Sequence, residues 1–472
     1  MRARPAQART TTMSYTDGSG SSTGVKLSVV EICNNGSPSN NPLIARGAFG
    51  HVDIALLVNW KWKCQSPADT KNDKAAIHSV QLAAIKTIPN ATNKSSGSLT
   101  REAFAELNAL RLLNGHTNVT PLLGYYGSRD KFGSGWDWGG NDMGNPSSLC
   151  LVFPYHPIDL AEALNYRRLK SFADGPPHQQ SHLPQDVVKS VCCDILSALD
   201  HLHSHHILHR DIKPGNLYIT KDGRVQLGDF GLAKVIPIDV DQIETETGLC
   251  TLQYRPPELL LGGNGIVNGE ESSRGAMDIW SAGCIFAELL TLSGPLFPGQ
   301  SVLDQLARIF QILGTPTEED WPKVSQLPDW NKVTFEHQSG KGLQDIIGKC
   351  SWIAGVVELI SSMLTLDPLK RPSANQCLQI FNLNENEMAM NGHESVVKSL
   401  VPPSLLAGDP VYIGTQSAEH DRLAYAKLCA SRVSSARRNF PKSLGKTGEQ
   451  NDDTKWKCKS KPNHITSALC SR

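Results

Sequence analysis

The chain has 472 residues, which is enough for one large domain with tails or for two or three ordinary domains. Lys plus Arg number 46 and Asp plus Glu also number 46, so the formal net charge is zero. This balance argues against a nucleic-acid partner or an anionic membrane partner. The most apolar stretch, residues 277–292, is too short for a membrane span and contains Asp278 and Glu288, so it predicts a buried helix.

The use of cysteine indicates the compartment. The 12 cysteines are scattered, and the only close pair is Cys192 and Cys193. No CxxC motif occurs, so the sequence signals neither a zinc site nor a redox motif. Scattered thiols are typical of a reducing compartment, and we expect the protein in the nucleus and/or the cytoplasm.

The N-terminal third of the chain is predicted to be a tail followed by a β-rich region with one helix. Residues 1–40 are rich in Ser, Thr, Asn and Gly and predict disorder. LAAIKTI (82–88) and LCLVF (149–153) predict buried strands. REAFAELNALRLL (101–113) has apolar residues at helical spacing, and Thr100 is the expected N-cap.

The rest of the chain has mainly helical periodicity, which weakens near residue 385. We predict one large domain at 41–385 with a β-rich part (41–153) and a helical part (157–385). Residues 386–472 are predicted to be a C-terminal extension that is largely disordered. Three polar stretches predict surface insertions between elements, at 64–79, 127–148 and 170–184.

The segment HRDIKPGNLYI (209–219) carries the strongest chemical signal. Phosphoryl transfer depends mostly on positioning and on neutralising charge. Asp211 is suited to orient an attacking hydroxyl, and Lys213 to neutralise a phosphate. Asn216 offers an amide oxygen to a magnesium ion. The plain alternative, a polar turn after a buried strand, is disfavoured because the other parts of the same machinery follow in order.

The segment GDFGLAK (228–234) supplies the second metal ligand. Asp229 follows a predicted strand and lies 18 residues after Asp211. An Asp-Phe-Gly alone is usually only a turn, but in this place it predicts a carboxylate that chelates the magnesium bridging the ATP phosphates.

A lysine and a glutamate upstream complete the predicted phosphate site. Lys86 lies on the strand AAIK and is suited to hold the α- and β-phosphates. The helix 101–113 offers Glu106 or Glu102 as the partner that fixes this lysine. We prefer Glu106, because it falls on the same helical face as Leu110.

Two further pairs predict structural support. Glu258 in RPPE and Arg371 in DPLKRPS are expected to form a buried ion pair, since each would be costly to bury alone. Asp278 is expected to anchor the loop that carries His209 and Arg210.

These motifs together resemble the protein kinase superfamily, over roughly residues 42–383. The set comprises AAIK, HRDIKPGN, DFG, PPE, DIWS and the late Arg371, in that order. The resemblance implies an α+β fold of two lobes, a small β-rich lobe with one helix and a large helical lobe, with ATP and Mg²⁺ in the cleft. Lys213 and Thr251 resemble the serine/threonine type, so the implied partner is a protein substrate with Ser or Thr.

A finer likeness is to the cyclin-dependent kinases and their CMGC relatives. It lies in LQYRPPELLLGG, DIWSAGCIFAELL and residues 296–335, and WPKVSQLPDWNKVTF most resembles the cell-cycle-related and CDK-activating branch. It implies proline directly after the phosphorylated residue, a preference shaped by Arg255. The cyclin-binding helix signature is absent, so the activator, a cyclin or another protein, is left open.

The resemblance also implies the residues around the nucleotide. The segment IARGAFGHV would form the glycine-rich loop over the phosphates, although Ala45 stands in place of its first glycine. The implied ATP-binding residues are Ile44, Ala45, Arg46, Gly47, Ala48, Phe49, Gly50, His51, Val52, Ala84, Lys86, Phe153, Tyr155, His156, Asp159 and Tyr218.

The predicted activation segment ends at Glu258. Relatives are switched on by a phosphothreonine twelve residues earlier, which pairs with the arginine of HRD, here Arg210. Glu246 stands at that position, flanked by Thr245 and Thr247. Either Glu246 replaces the phosphate, or the loop is shifted by one residue and a threonine is the switch.

Two other functions compete with a cyclin-dependent-kinase-like enzyme. A catalytically inactive scaffold would be favoured by loss of Lys86, Asp211 or Asp229, and all three are present. A kinase of the MAP-kinase type would carry T-x-Y where this chain has Glu246 and Gly248.

Overall fold

The computed structural model describes residues 9–15, 25–31, 43–47, 50–61, 76–89, 100–128, 148–173, 182–236, 250–263, 275–347, 355–380 and 391–406. These residues fall into two compact units. Of the described residues, the first contains those before 158 other than 115–119, together with 402–406, and the second contains 115–119 and 158–401. One unit is an antiparallel sheet with a helix and the other is mainly helical, which is the fold class that the sequence predicts.

The first unit is an antiparallel sheet with one helix. Its strands are β1 (Arg9–Tyr15), β2 (Val25–Glu31), β3 (Leu43–Gly47), β4 (Gly50–Lys61), β5 (Ala76–Pro89), β6 (Gly124–Ser128) and β7 (Ser148–Pro154). The strand order is β1-β2-β4-β5-β7-β6, and β3 also pairs with β4. Ala55, Ala83, Ile85 and Val152 belong to its buried cluster.

The helix of this unit, α1 (Arg101–Leu112), begins as predicted. The Thr100 hydroxyl accepts a hydrogen bond from the Ala103 N–H at 3.1 Å, which satisfies one of the backbone donors left open at a helix start. The predicted strands 82–88 and 149–153 lie within β5 and β7.

Two segments of residues 1–40, for which the sequence predicts disorder, are strands in the structure. Residues 9–15 and 25–31 form β1 and β2, and β2 pairs with β4 from Ala55 to Trp60. The physical reason is the length of β4. Since β3 reaches only as far as Asp53, the backbone groups of residues 55–60 need another strand at that edge. The alternating apolar residues of VKLSVVE supply it.

The second unit is mainly helical. Its elements are β8 (Ile158–Asp159), α2 (Leu160–Ala173), α3 (Gln185–Ser204), β9 (Ile207–Leu208), β10 (Leu217–Ile219), β11 (Val225–Leu227), β12 (Lys234–Val235), α4 (Pro257–Leu260), α5 (Ala276–Thr291), α6 (Val302–Leu313), α7 (Leu343–Ile347), α8 (Val356–Met363), α9 (Ala374–Ile380) and α10 (Asn391–Leu400). The short helix α11 (Pro403–Leu406) follows along the chain and is grouped with the first unit. Every residue of α5 from Ala276 to Leu290 is buried, as the sequence predicts for 277–292.

The insertions and the C-terminal extension are only partly described. β5 begins at Ala76, inside the predicted insertion 64–79, and α2 runs to Ala173, inside 170–184. Most residues of the three insertions lie outside the described residues. The extension contains α10 and α11, whereas residues 407–472 lie outside the described part. None of the described helices is long and apolar enough to cross a membrane.

Candidate active site

The HRD segment of the second unit, the predicted catalytic loop, follows α3 and β9 and is hydrogen-bonded to α5. The Asp278 carboxylate accepts the backbone N–H of His209 at 3.0 Å and that of Arg210 at 2.9 Å. The His203 ring also contacts this carboxylate, with Nε2 and Oδ2 3.1 Å apart. Arg210 has a φ of 66°, a backbone conformation that these two bonds hold in place.

Asp278 remains charged although it is fully enclosed. Burial alone would raise its pKa, but the hydrogen bond from His203 and the donors of the catalytic loop bring the pKa below its usual range. An ionised anchor accepts stronger hydrogen bonds than a neutral one, so the loop is fixed by charge-assisted contacts.

Four donors converge on the Asp211 carboxylate. Oδ2 accepts hydrogen bonds from Lys213 Nζ at 2.7 Å and from Asn216 Nδ2 at 3.1 Å. Oδ1 accepts from the Thr251 N–H at 3.0 Å and from its hydroxyl at 2.8 Å. Lys213 Nζ also donates to Thr251 Oγ1 at 3.1 Å. The structure therefore brings Thr251 to the segment that contains Asp211, Lys213 and Asn216, although 35 residues separate Thr251 from Asn216 in the sequence.

The charge of Asp211 follows from these contacts. Burial would raise its pKa, but the hydrogen bond and positive charge of Lys213, with the Thr251 hydroxyl, lower the pKa below the usual range. Asp211 is therefore ionised at neutral pH and is able to accept a hydrogen bond from a hydroxyl group.

The β10–β11 hairpin brings the two expected metal ligands together. The Gly228 N–H donates to the Asn216 carbonyl at 2.9 Å, which places Asp229 next to Asn216 in space. Asn216 Nδ2 donates to the Asp211 carbonyl at 2.8 Å and to its carboxylate, so both amide hydrogens are used and the amide oxygen is the atom left for a metal. An amide oxygen and a carboxylate are ligands that Mg²⁺ prefers. The donor set therefore fits magnesium.

The residues after Asp229 are tied to the catalytic loop. Asp229 has a φ of 57°, and Phe230 is fully buried. The His209 and Phe230 rings meet edge to face, with centroids 5.0 Å apart, and the His209 ring hydrogen-bonds the Gly228 carbonyl at 3.0 Å. These contacts couple the HRD and DFG segments through one histidine.

In the first unit, Lys86 and Glu106 form a buried ion pair. Lys86 Nζ lies 2.6 Å from Glu106 Oε1, and the two side chains are 11% and 2% exposed. Glu102, the other glutamate considered, is exposed. The helical face that contains Leu110 is thus the one that turns toward β5, as the sequence predicts.

The predicted nucleotide residues of this unit lie on the sheet. Ile44, Ala45, Arg46 and Gly47 are on β3, and Gly47 pairs with Gly50 at the start of β4. Gly50 has a φ of 141°, and a Cβ there would meet the Thr87 carbonyl oxygen at 2.0 Å, so only glycine fits. Val52 pairs with Lys86, and Ala84 with Phe153. Ala48 and Phe49 lie outside the described residues.

The remaining predicted nucleotide residues lie after β7, on β8 and on β10. Tyr155 follows β7, and its N–H donates to the Leu82 carbonyl at 3.4 Å. His156 comes next and is half-buried. In the second unit, Asp159 pairs with Tyr218, and its carboxylate accepts the Glu162 N–H at 2.8 Å. Asp159 thus also caps the start of α2.

Arg255 and Glu258 anchor the last part of the predicted activation segment. Arg255 donates through Nε and Nη2 to the Cys250 carbonyl, at 3.2 and 2.6 Å. Cys250 has a φ of 70°, which is uncommon for a residue with a side chain. Arg210 Nε donates to the Leu232 carbonyl at 2.7 Å. Thr245, Glu246 and Thr247 lie outside the described residues.

All five donors of the Arg371 guanidinium have acceptors. Nη1 and Nη2 each donate to one oxygen of Glu258 at 2.7 Å. The other three hydrogens go to the carbonyls of residues 276, 365 and 366. The expected ion pair is present and fully satisfied, so breaking it by removing one partner would cost about 3–5 kcal/mol.

Several contacts of the site are not evident in the sequence. The His203–Asp278 bond lacks a spacing signal, because the residues lie on separate helices. The Tyr254 hydroxyl donates to Glu288 Oε2 at 2.8 Å. The positive φ of Cys250 is not evident in the sequence either, because this residue is not a glycine. Each contact joins segments distant in sequence, and no local pattern indicates such pairs.

Comparisons with known proteins agree with this geometry. A sequence model described as the protein kinase domain matches residues 73–381. Among solved structures, the chain is similar to one from the structure of the CAK complex of Chaetomium thermophilum bound to ATP-γ-S. The two are 29% identical with a TM-score of 0.53, and the match covers 72% of this chain and 90% of that one. The match over most of the length, with the catalytic loop and the Lys86–Glu106 pair in place, shows that this chain belongs to the protein kinase family.

Proposed function

We propose that this protein is a serine/threonine kinase of the cyclin-dependent-kinase-like type, acting in cell-cycle or related regulation. The observation that carries the proposal is the cluster of Lys213, Asn216 and Thr251 around the ionised Asp211. Lys213 after HRD and Thr251 before PPE are the pair that resembles the serine/threonine type.

Each residue has a distinct part in the proposed transfer. Asp211 orients the substrate hydroxyl and accepts its proton as the oxygen–phosphorus bond forms and the bond from the γ-phosphorus to the departing ADP oxygen breaks. Lys213 neutralises charge on the moving phosphoryl group, and Lys86, held by Glu106, binds the α- and β-phosphates. Asn216 and Asp229 would hold magnesium, which supplies positive charge to the phosphates when bound.

A transfer assay on the purified full-length chain tests the class of acceptor. The protein is incubated with Mg-ATP labelled at the γ-phosphate and a mixed peptide library, and the phosphorylated amino acids are separated. We expect label on serine and threonine. Label only on tyrosine would refute the serine/threonine assignment, and no label with any peptide or activator would refute the kinase.

Partner proteins are part of the proposal. The solved chain to which this one is similar comes from a complex, which supports the idea that this kinase also has a protein activator. We propose α1, where Phe104 and Leu112 are 57% and 54% exposed, as the element that such an activator contacts. Running the same assay with and without purified cyclins tests this part, and unchanged rates with every candidate would contradict it.

We propose that the substrate carries proline directly after the phosphorylated residue. The Cys250 carbonyl precedes Thr251, the partner of the catalytic aspartate, and Arg255 already occupies it with two hydrogen bonds. A substrate residue with an N–H would then lose water without gaining this acceptor. A buried unsatisfied donor costs about 1–3 kcal/mol, and proline has no such donor.

The preference has a measurable consequence. Wild-type protein should phosphorylate Ser-Pro peptides about tenfold faster than matched Ser-Ala peptides, and Arg255→Ala should narrow this ratio by freeing the carbonyl. The measurement is kcat/KM for the two peptides. Arg308→Ala, on the exposed side of α6, is the control and should keep the wild-type ratio. Equal rates for both peptides with wild-type protein would remove the proline claim and leave the kinase claim intact.

We propose that Glu246 provides built-in activation by pairing with Arg210 in place of a phosphate. A charge-assisted pair is worth about 1.5–3 kcal/mol, so Glu246→Ala should lower activity about tenfold or more, while phosphatase treatment of the wild type leaves most of it. The measurement is the transfer rate before and after phosphatase treatment. Thr245→Ala and Thr247→Ala are the matched controls. Silencing by phosphatase, with little effect of Glu246→Ala, would make a threonine the switch and reject this proposal.

A further inference from the structure

We propose that His393, on the C-terminal helix α10, is a positioning residue for catalysis: through Asp194 it holds the β10–β11 hairpin, whose other end carries Asn216 and Asp229. The inference rests on the proposed kinase function. It assigns a role to a residue beyond the kinase-domain match, which ends at residue 381.

The contacts around Asp194 connect three elements. Asp194 lies on α3 and is buried, and its Oδ2 accepts the backbone N–H of Val225 on β11 at 2.8 Å. His393 Nε2 lies 3.4 Å from Oδ1 and 3.3 Å from Oδ2 of the same carboxylate, and His393 is also buried. One buried carboxylate therefore joins the strand that leads to the DFG segment with a helix that follows the kinase domain.

The backbone of α10 also approaches the hairpin turn closely. Gly223, in the turn between β10 and β11, has a φ of 86°, and a Cβ there would lie 1.9 Å from the His393 carbonyl oxygen. A side chain at position 223 would force the two segments apart. On α10, His393, Val396 and Leu400 share the buried face that packs against α3 and α2.

The hairpin is short enough to transmit a displacement. Only three residue pairs join its strands, from Leu217–Leu227 to Ile219–Val225, a length of about 10 Å. At its open end, the Gly228 N–H donates to the Asn216 carbonyl. A shift of the turn would therefore change the spacing between Asn216 and Asp229.

Asn118 holds the same edge of the strand independently of His393. Asn118 accepts the Leu227 N–H at 2.8 Å through its carbonyl and donates from Nδ2 to the Val225 carbonyl at 3.1 Å. These bonds keep the hairpin formed without His393. We therefore expect loss of His393 to loosen the geometry of transfer and to leave the fold intact.

The test compares His393→Leu, which removes the donor, with His393→Gln, which places an amide N–H near the same point. Glu394→Gln, on the exposed face of α10, is the matched control. For full-length protein we measure amide hydrogen exchange at Val225 without nucleotide, then kcat and KM for peptide. His393→Leu should speed exchange about tenfold and lower kcat about tenfold with KM unchanged. His393→Gln should restore both values.

The outcomes distinguish a failure of the His393 role from a failure of the proposed kinase function. A kcat for His393→Leu within about twofold of wild type, or a failure of His393→Gln to restore kcat, would overturn the positioning role. If His393→Leu does not fold, His393→Asn is tested in its place under the same criteria. Asparagine keeps a polar side chain at this position, but a shorter one. If the wild type transfers no phosphate, the proposed function fails, and exchange at Val225 still decides whether His393 holds the hairpin.

Discussion

Replacing Asp211 with asparagine is expected to lower kcat by about 10²–10⁴-fold, the contribution typical of a positioned acid–base group. The asparagine keeps the shape of the side chain but removes its charge. It also puts an NH₂ group where the carboxylate now accepts hydrogen bonds from Lys213 and Thr251. In the proposed function the nucleotide is bound by other residues, so we expect ATP affinity to stay close to that of the wild type.

Two measurements check this result. The first is steady-state phosphorylation of a peptide, and the second is nucleotide affinity from displacement of a fluorescent ATP analogue. Asp345→Asn makes the same chemical change at an exposed position on α7 and should alter neither value. Near-normal transfer by the Asp211 variant would show that another group orients the hydroxyl.

Replacing Lys86 with methionine is expected to lower activity by about 100-fold, since misplaced phosphates lose the alignment that transfer requires. This variant also leaves Glu106, which is 2% exposed, without the cation that compensates its burial. We therefore expect a lower melting temperature and weaker ATP binding in addition, in contrast to Asp211→Asn.

The two glutamates of α1 provide the control for this prediction. Glu106→Gln removes the charge that pairs with Lys86 and should lower activity in the same direction. Glu102→Gln, one turn earlier on the exposed face, should have no effect. Full activity of Lys86→Met, measured with the same peptide, would mean that another lysine holds the phosphates.

The sequence was most informative where one local pattern decides the outcome. Thr100 precedes a helical pattern, and it caps α1. Glu106 shares a helical face with Leu110, and it meets Lys86. Asp211 and Asn216 are five residues apart in one short segment, so their contact can be predicted without knowledge of the rest of the fold.

Prediction was weakest where distant segments meet. His203 and Asp278 are 75 residues apart, and Asp194 and His393 are 199 apart, so neither pair follows from spacing. Residues 1–40 have the composition of a tail, and β2 forms because the long β4 has an edge to cover. The need comes from the partner strand, which composition alone does not reveal.

The pairing of β2 with β4 bears on how this protein should be shortened. A chain cut at residue 41, where composition places the start of the domain, would lose β1 and β2. The N–H and C=O groups of β4 between Ala55 and Trp60 would then form a bare strand edge. Such an edge is a template for pairing with other molecules, so removing the apparent tail would favour aggregation. A soluble fragment should therefore begin before Arg9.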